Sequence, residues 1–182
     1  MRTQPADTCA PEAAIPELMD RLDKLYRHWL GAPLFKHHDA TSTVLKTVHR
    51  FRALEQNGLL SLAKDLARLI ADRIDIVALR AVTAPPKGQT WGSLKSLENA
   101  LGTILPKRQA RFLLTPLVGI YELRLGDAHL PSSTINDAFE MIGIDRSTHA
   151  VGQGFQMLGR AANALSAIGA ATSEALAKAG RL

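Results

Sequence analysis

Apolar residues recur every three or four positions along most of this sequence. This period matches the turn of an α-helix and places the apolar side chains on one face. β-branched residues do not cluster, and leucine and alanine supply much of the apolar content, which favours helix over strand. We therefore predict an all-α fold, a helical bundle of six to seven helices. The first helix begins near Pro11, and its apolar stripe comprises Ile15, Leu18, Leu22, Leu25, Tyr26 and Trp29.

The length and composition are those of one folded domain. The chain has 182 residues, of which 46% are hydrophobic and 21% charged, a balance typical of globular proteins. We expect a flexible tail at residues 1–10 and a single helical domain at 11–182. Two prolines and two glycines in "TAPPKGQTWG" interrupt the helical pattern and predict a hinge or a long loop at 83–92.

Several kinds of site have no sequence signature here. The only cysteine is Cys9, no phosphate-binding glycine loop occurs, and the neighbouring His37 and His38 are poorly spaced to share a metal ion. We therefore expect neither a metal nor a cofactor. The N-terminus lacks the apolar core of a signal peptide, and no apolar run is long enough to span a bilayer, so we expect a cytoplasmic protein with no membrane contact.

The positive charge points to an anionic partner. The formal net charge is +5, and nucleic acid is the first candidate for such a chain. Lys107, Arg108 and Arg111 open a predicted helix, where the helix dipole disfavours cations. Bound RNA phosphates would relieve that mismatch, so these three are candidate nucleic-acid-binding residues. The alternative is an ordinary solvated surface.

The pattern also gives local expectations. In the second helix we expect five residues to point inward: Val44, Leu45, Val48, Phe51 and Leu54. "QNG" at 56–58 is expected to end that helix, and a third helix is expected from about Leu59 to Val82. Val77 belongs to its predicted buried face, and its predicted solvent face comprises Lys64, Asp65, Arg68, Asp72 and Asp75. Pro116 is expected to kink or restart a later helix.

Only the stretch "YELRLGDAHLPSS" contains residues that suggest a catalytic site. Arg124, Asp127 and His129 cluster where an apolar helix is expected to end. If the chain folds back there, a guanidinium that binds phosphate oxygens and an imidazole that titrates near neutral pH share one volume. Asp127 could orient either of them. Such a set can cleave RNA without a metal, because the RNA 2′-hydroxyl can attack the adjacent phosphate.

"RLGDAH" resembles the R-x4-6-H signature of the HEPN superfamily. These are helical-bundle domains, often metal-independent ribonucleases of toxin–antitoxin and antiviral defence systems, and they typically form homodimers with two motifs facing each other. The resemblance implies that Arg124 and His129 are catalytic, and it covers the chain from about Ser93 onwards. Leu125 departs from the polar residue that many active members carry after the arginine. A second match, Arg21 and His28, lies within one predicted helix and is interpreted as solvated surface.

Other interpretations of the same residues remain open. In an ordinary polar helix exit, Arg124 binds its own helix carbonyls, Asp127 pairs with it and His129 binds the backbone. The chain would then be a non-catalytic helical interaction, assembly or dimerisation module, whose small-residue last helix makes the contact. A third hypothesis is a protein that binds RNA phosphates without cleaving them.

Overall fold

The computed structural model describes residues 10–39, 41–124 and 132–181, and within them it confirms the all-α fold. Two short 3-10 turns, Arg50–Arg52 and Ala71–Arg73, lie between helices. The eight α-helices of the described residues are α1 (Pro11–Leu30), α2 (Thr41–Thr47), α3 (Gln56–Leu69), α4 (Ile76–Leu79), α5 (Ser93–Leu101), α6 (Lys107–Leu123), α7 (Ser132–Ile142) and α8 (Ala150–Lys178).

The count exceeds the predicted six to seven because the expected third helix is divided. α3 ends at Leu69, the turn Ala71–Arg73 follows, and a new short helix, α4, begins at Ile76. The Asp75 carboxylate caps α4 by accepting a hydrogen bond from the backbone N–H of Val77 at 2.9 Å. This is the usual chemistry of a helix start, so the chain changes direction at a point where the apolar pattern alone suggested continuity.

The core lies among packed helices: α1 packs on α8, α6 packs on α7, and α6 also packs on α3, α5 and α8. The α1 stripe is confirmed: Ile15, Leu22, Tyr26 and Trp29 are buried, and Leu18 and Leu25 are partly buried against them. The close approach of α6 and α7 requires Gly119. A Cβ there would lie 2.7 Å from the carbonyl oxygen of Ala138 and from Cγ1 of Ile142.

Four predicted burial assignments around α2, α3 and α4 are wrong. Phe51 and Leu54 are 64% and 70% exposed, because α2 ends at Thr47 and the chain then turns away. Val77 is exposed because it belongs to the short α4 rather than to a long α3. Asp65 is buried, and Arg52 Nε lies 3.6 Å from its carboxylate.

The "QNG" segment begins a helix instead of ending one. Gln56–Gly58 form the first turn of α3, and a Cβ on Gly58 would collide with the carbonyl oxygen of Arg52. Glycine is therefore needed because the 3-10 turn Arg50–Arg52 crosses close to α3. Its conformational freedom was the basis of the wrong prediction.

Two more interruptions of the helical pattern were predicted, at Pro116 and at residues 83–92, and their outcomes differ. α6 continues through Pro116 from Lys107 to Leu123. Residues 83–92 are non-helical, and the buried residues on either side of this loop, such as Leu79 and Leu97, belong to one core. Among the described helices, none combines the length and the hydropathy needed to cross a membrane.

Candidate functional site

The connector between α1 and α2 is pinned to the turn after α3. Phe35 and Ile74 form an isolated antiparallel bridge. The Lys36 N–H donates to the carbonyl of Arg73, and the Asp75 N–H donates to the carbonyl of Leu34, both at 2.7 Å. The connector is therefore held beside the end of α3, and the two together form the walls of a cleft.

That cleft has a volume of about 390 Å³, and arginine outnumbers carboxylate on its lining. Arg68 and Arg73 contribute two guanidinium groups, and Asp72 contributes the one carboxylate. Its lining residues are His38, Thr41, Val44, Arg68, Leu69, Asp72 and Arg73.

Arg73 forms part of the wall of this cleft. Its Nε–H donates to the carbonyl of Lys36 at 2.9 Å, and its guanidinium lies 5.9 Å from the ring centre of Phe35. Burial lowers the pKa of Arg73, and the nearby Asp23 carboxylate opposes that shift. Because the pKa of a free arginine is far above neutrality, Arg73 stays charged at physiological pH.

Asp23 lies behind the connector on α1. Burial raises its pKa, while a hydrogen bond from the Phe35 N–H and the charges of Arg27 and Arg73 act in the opposite direction. The Phe35 N–H to Asp23 distance is 2.8 Å. Asp23 therefore anchors the connector and partly balances Arg73, and it does not line the cleft.

Arg124 lies at the end of α6, as predicted, and reaches the same region. Its Nη1 donates to both carboxylate oxygens of Asp72, at 2.7 and 2.9 Å. Its Nη2 donates to the hydroxyl of Tyr121, and its guanidinium carbon lies 3.6 Å from the centre of the Tyr121 ring. The Arg124 side chain is 22% exposed, so the guanidinium is held in place but remains reachable by solvent.

Asp72 joins Arg124 to the cleft, because it both lines the cleft and accepts from Arg124. The sequence pattern placed Asp72 and Arg68 on a solvent face but gave no sign of this role. Asp72 and Arg124 are 52 positions apart, and they meet where the turn after α3 lies beside the end of α6.

The other two members of the predicted catalytic set, Asp127 and His129, lie outside the described residues. Their position relative to Arg124 therefore stays a prediction. The second signature match is surface, as interpreted from the sequence: Arg21 and His28 are exposed on α1. Arg21 pairs with Glu17 at 2.6 Å, and a ring nitrogen of His28 lies 2.9 Å from the carbonyl of Arg181.

The predicted nucleic-acid-binding residues Lys107, Arg108 and Arg111 lie at the opposite end of α6. All three are exposed, and their side chains form no ion pair or hydrogen bond with another residue in the described ranges. Lys107 and Arg124 are separated by about 25 Å at the α-helical rise of 1.5 Å per residue. The structure therefore does not bring this cluster to Arg124.

A groove between α5 and α6 gives one member of that cluster a connection to Tyr121. The groove has a volume of about 340 Å³, and Arg111 and Tyr121 line it together with Ser93 and Lys95. Glu98 and Glu122 lie on the same groove, and Glu98 accepts from Lys95 at 2.9 Å. Mixed charge makes this groove a weaker anion site than the cleft beside Asp72.

No group of three or more histidine, cysteine, aspartate or glutamate side chains within the described ranges is arranged to hold a metal ion. Comparison of the chain with family models, with curated proteins and with solved structures finds no match.

Proposed function

We propose that this chain is a metal-independent endoribonuclease that cleaves RNA by attack of a 2′-hydroxyl on the adjacent phosphate. Arg124 stabilises the charge that develops on the phosphate oxygens, and His129 takes up or delivers a proton. Asp127 orients the imidazole. The resemblance to HEPN domains suggests the roles of Asp127 and His129, and the contacts of Arg124 support its role.

The supporting observation is the way in which Arg124 is held. Asp72 fixes Nη1, and Tyr121 fixes Nη2 and one face of the guanidinium. The Nε–H has no hydrogen-bond partner among the described residues, and Nη2 carries a second hydrogen. A guanidinium fixed in this way loses little freedom when phosphate oxygens bind to its remaining donors, which is the requirement for electrostatic catalysis.

The proposed enzyme has an expected oligomeric state and an expected cellular role. By resemblance, the active form is a homodimer in which two sites face each other. The cytoplasm is its proposed location. It would act as a toxin or as a component of antiviral defence, restrained by an antitoxin or by a larger complex.

The test is cleavage of single-stranded RNA in the presence of EDTA by the purified protein. We expect products that end in 2′,3′-cyclic phosphate, and a loss of roughly 10²-fold or more in rate for Arg124→Ala and for His129→Ala. Arg21→Ala and His28→Ala are the matched controls, since they alter the surface R…H pair of α1 and should leave the rate unchanged. Equal rates in all four variants would refute the catalytic roles.

A second function has one observation in its favour. Both oxygens of Asp72 are bound by Arg124, so the pair is also a clamp between the end of α6 and the turn after α3. In a helical interaction or dimerisation module this clamp would be purely structural. A stable oligomer without ribonuclease activity, in which Arg124→Ala lowers only the thermal stability, would favour this function.

A further inference from the structure

We propose that the cleft between the α1–α2 connector and the end of α3 binds a backbone phosphate of the RNA strand, through Arg68 and Arg73. This inference rests on the proposed ribonuclease function and supplies a substrate-positioning site for it. The phosphate bound in the cleft is a neighbour of the scissile one. The sequence directed attention to Lys107, Arg108 and Arg111 instead, at the far end of α6.

Arginine outnumbers carboxylate among the residues that line the cleft. Arg68 and Arg73 face the cleft, and the exposed Arg68 has no ion pair or side-chain hydrogen bond with any residue in the described part of the chain. The single carboxylate on the wall, Asp72, already pairs with Arg124 through both oxygens. The cleft together with Arg124 therefore holds three guanidinium groups against Asp72 and the Asp23 carboxylate that acts on Arg73, and the remaining positive excess suits a phosphodiester.

The Arg73 side chain is held in place before any anion binds. The guanidinium of Arg73 is anchored through Nε to the carbonyl of Lys36, which leaves its two terminal nitrogens without a hydrogen-bond partner in the described ranges. These terminal nitrogens present the fork of donors that matches two phosphate oxygens. The bridge of Phe35 to Ile74 fixes the backbone on both sides of the same wall.

The cleft lies next to Arg124. Asp72 lines the cleft and contacts Arg124, so an anion in the cleft and a phosphate on Arg124 would lie on two sides of one carboxylate. Val44 and Leu69 give the cleft an apolar part, and the partly exposed Val44 can contact a sugar. The volume of about 390 Å³ is within the usual range of a ligand pocket.

The experiment measures binding without cleavage. A fluorescein-labelled, single-stranded oligonucleotide with 2′-O-methyl groups throughout cannot supply the attacking hydroxyl, so fluorescence anisotropy reports affinity alone. We compare the wild-type protein with Arg68→Ala and Arg73→Gln over a range of NaCl concentrations. The matched control is Arg80→Ala, because Arg80 is also exposed but lies after α4 and does not line the cleft.

We expect Arg68→Ala and Arg73→Gln each to weaken binding about fivefold or more, and to reduce the slope of log K against log salt by roughly 0.7 for each lost phosphate contact. Arg80→Ala should change affinity by less than about twofold. Since Arg73 also supports the wall, circular dichroism checks its folding, and the exposed Arg68 carries the decision if Arg73→Gln is unfolded.

Three results would overturn this inference: no binding of the strand by the wild-type protein, equal losses in Arg68→Ala and Arg80→Ala, or complete displacement of the strand by inorganic phosphate at constant ionic strength. The last result would indicate a site for the free ion. Failure of the proposed function is distinguishable, because there Arg124→Ala leaves RNA cleavage unchanged while Arg68→Ala still weakens binding.

Discussion

The two ends of α6 both carry arginine but place it in different surroundings. At the start of the helix, Arg108 and Arg111 are exposed beside Lys107 and contact no acidic partner among the described residues. At its end, Arg124 is bound to Asp72 and stacked on Tyr121. The helix dipole disfavours the first group and favours the second.

A cation that only attracts RNA differs from one that can act on a single phosphate in how firmly its side chain is held. An exposed cation on a flexible side chain contributes to the long-range field around the protein. A guanidinium that is held on two sides keeps its geometry when a phosphate arrives. The proposed function therefore places catalysis at the end of α6 and gives its start only a general attraction for RNA.

The largest expected effect on stability comes from the middle of α6, where the helix packs on α7. Gly119→Ala places a methyl group 2.7 Å from the carbonyl of Ala138, so we expect a loss of roughly 1–3 kcal/mol in the free energy of unfolding, measured with urea. The control is Gly159→Ala on α8, where the nearest atom beyond the helix backbone, Cγ of Pro11, is 4.0 Å away. That change should stabilise the protein by about 0.5–1 kcal/mol. Equal effects would contradict this account of α6 and α7.

Another arginine, Arg50, sharpens the comparison through the pH dependence of its pair with Glu12. It donates to both oxygens of Glu12, at 2.9 and 3.2 Å, and the two side chains are 28% and 19% exposed. Burial alone would raise the pKa of Glu12, but the hydrogen bond from Arg50, backbone hydrogen bonds and the Arg50 charge together outweigh it, and the pKa lies below the ordinary value of 4.5. The pair therefore stabilises the fold above pH 4.5 and loses that contribution as the pH falls through the lower pKa of the folded state.

We expect Glu12→Gln to lower the free energy of unfolding by roughly 1–2 kcal/mol at neutral pH. The difference from the wild type should shrink as unfolding is measured at successively lower pH below the ordinary pKa of glutamate. A difference that stays constant down to acid pH would show that the charge on Glu12 is not what stabilises this contact.

A smaller effect is expected for the pair at the end of α6. A double-mutant cycle with Arg124→Ala and Asp72→Ala should give a coupling energy of about 0.5–1.5 kcal/mol, because Asp72 is 43% exposed and solvent weakens the attraction. Thermal or urea unfolding of the four proteins measures it. Lys107→Ala, at the other end, should change stability by less than about 0.5 kcal/mol. A coupling near zero would remove the claim that Asp72 holds Arg124.

The smallest expected effect is at the start of α6. Lys107→Glu replaces a cation by an anion near the positive end of the helix dipole, so we expect a gain of about 0.3–1 kcal/mol in urea unfolding. Lys178→Glu is the matched control, because it makes the same change in the last turn of α8 and also loses the 2.6 Å pair with Glu174. It should destabilise. Opposite signs at the two positions are the expected outcome, and equal signs would count against the dipole explanation.

Much of the fold follows from local pattern. The stripe of α1 and the position of Arg124 at a helix end were predictable, because helical periodicity and helix ends are properties of neighbouring residues. The division of α3 from α4 was missed because the apolar pattern runs through it. Phe51 was misplaced because its burial depends on where α2 ends, which the pattern leaves open.

The sequence pointed to Arg124 at the candidate site but not to Asp72 or Arg68, and the reason is physical. Arg124 stands out by its type and position, but Asp72 and Arg68 look like ordinary solvent-facing residues of a helix. Their proposed role depends on the packing of α3 against α6 and on the bridge that pins residues 34–36 beside them. Contacts between distant parts of a chain leave no short motif in its sequence.

The central claim is that chemistry resides at the end of α6, and the most direct measurement is the single-turnover rate of RNA cleavage by Arg124→Lys and Arg108→Lys. Both changes keep the positive charge and remove the guanidinium fork. We predict a fall of roughly tenfold or more for Arg124→Lys and a change below about twofold for Arg108→Lys. Equal rates for the two variants, or a larger loss for Arg108→Lys, would contradict the account.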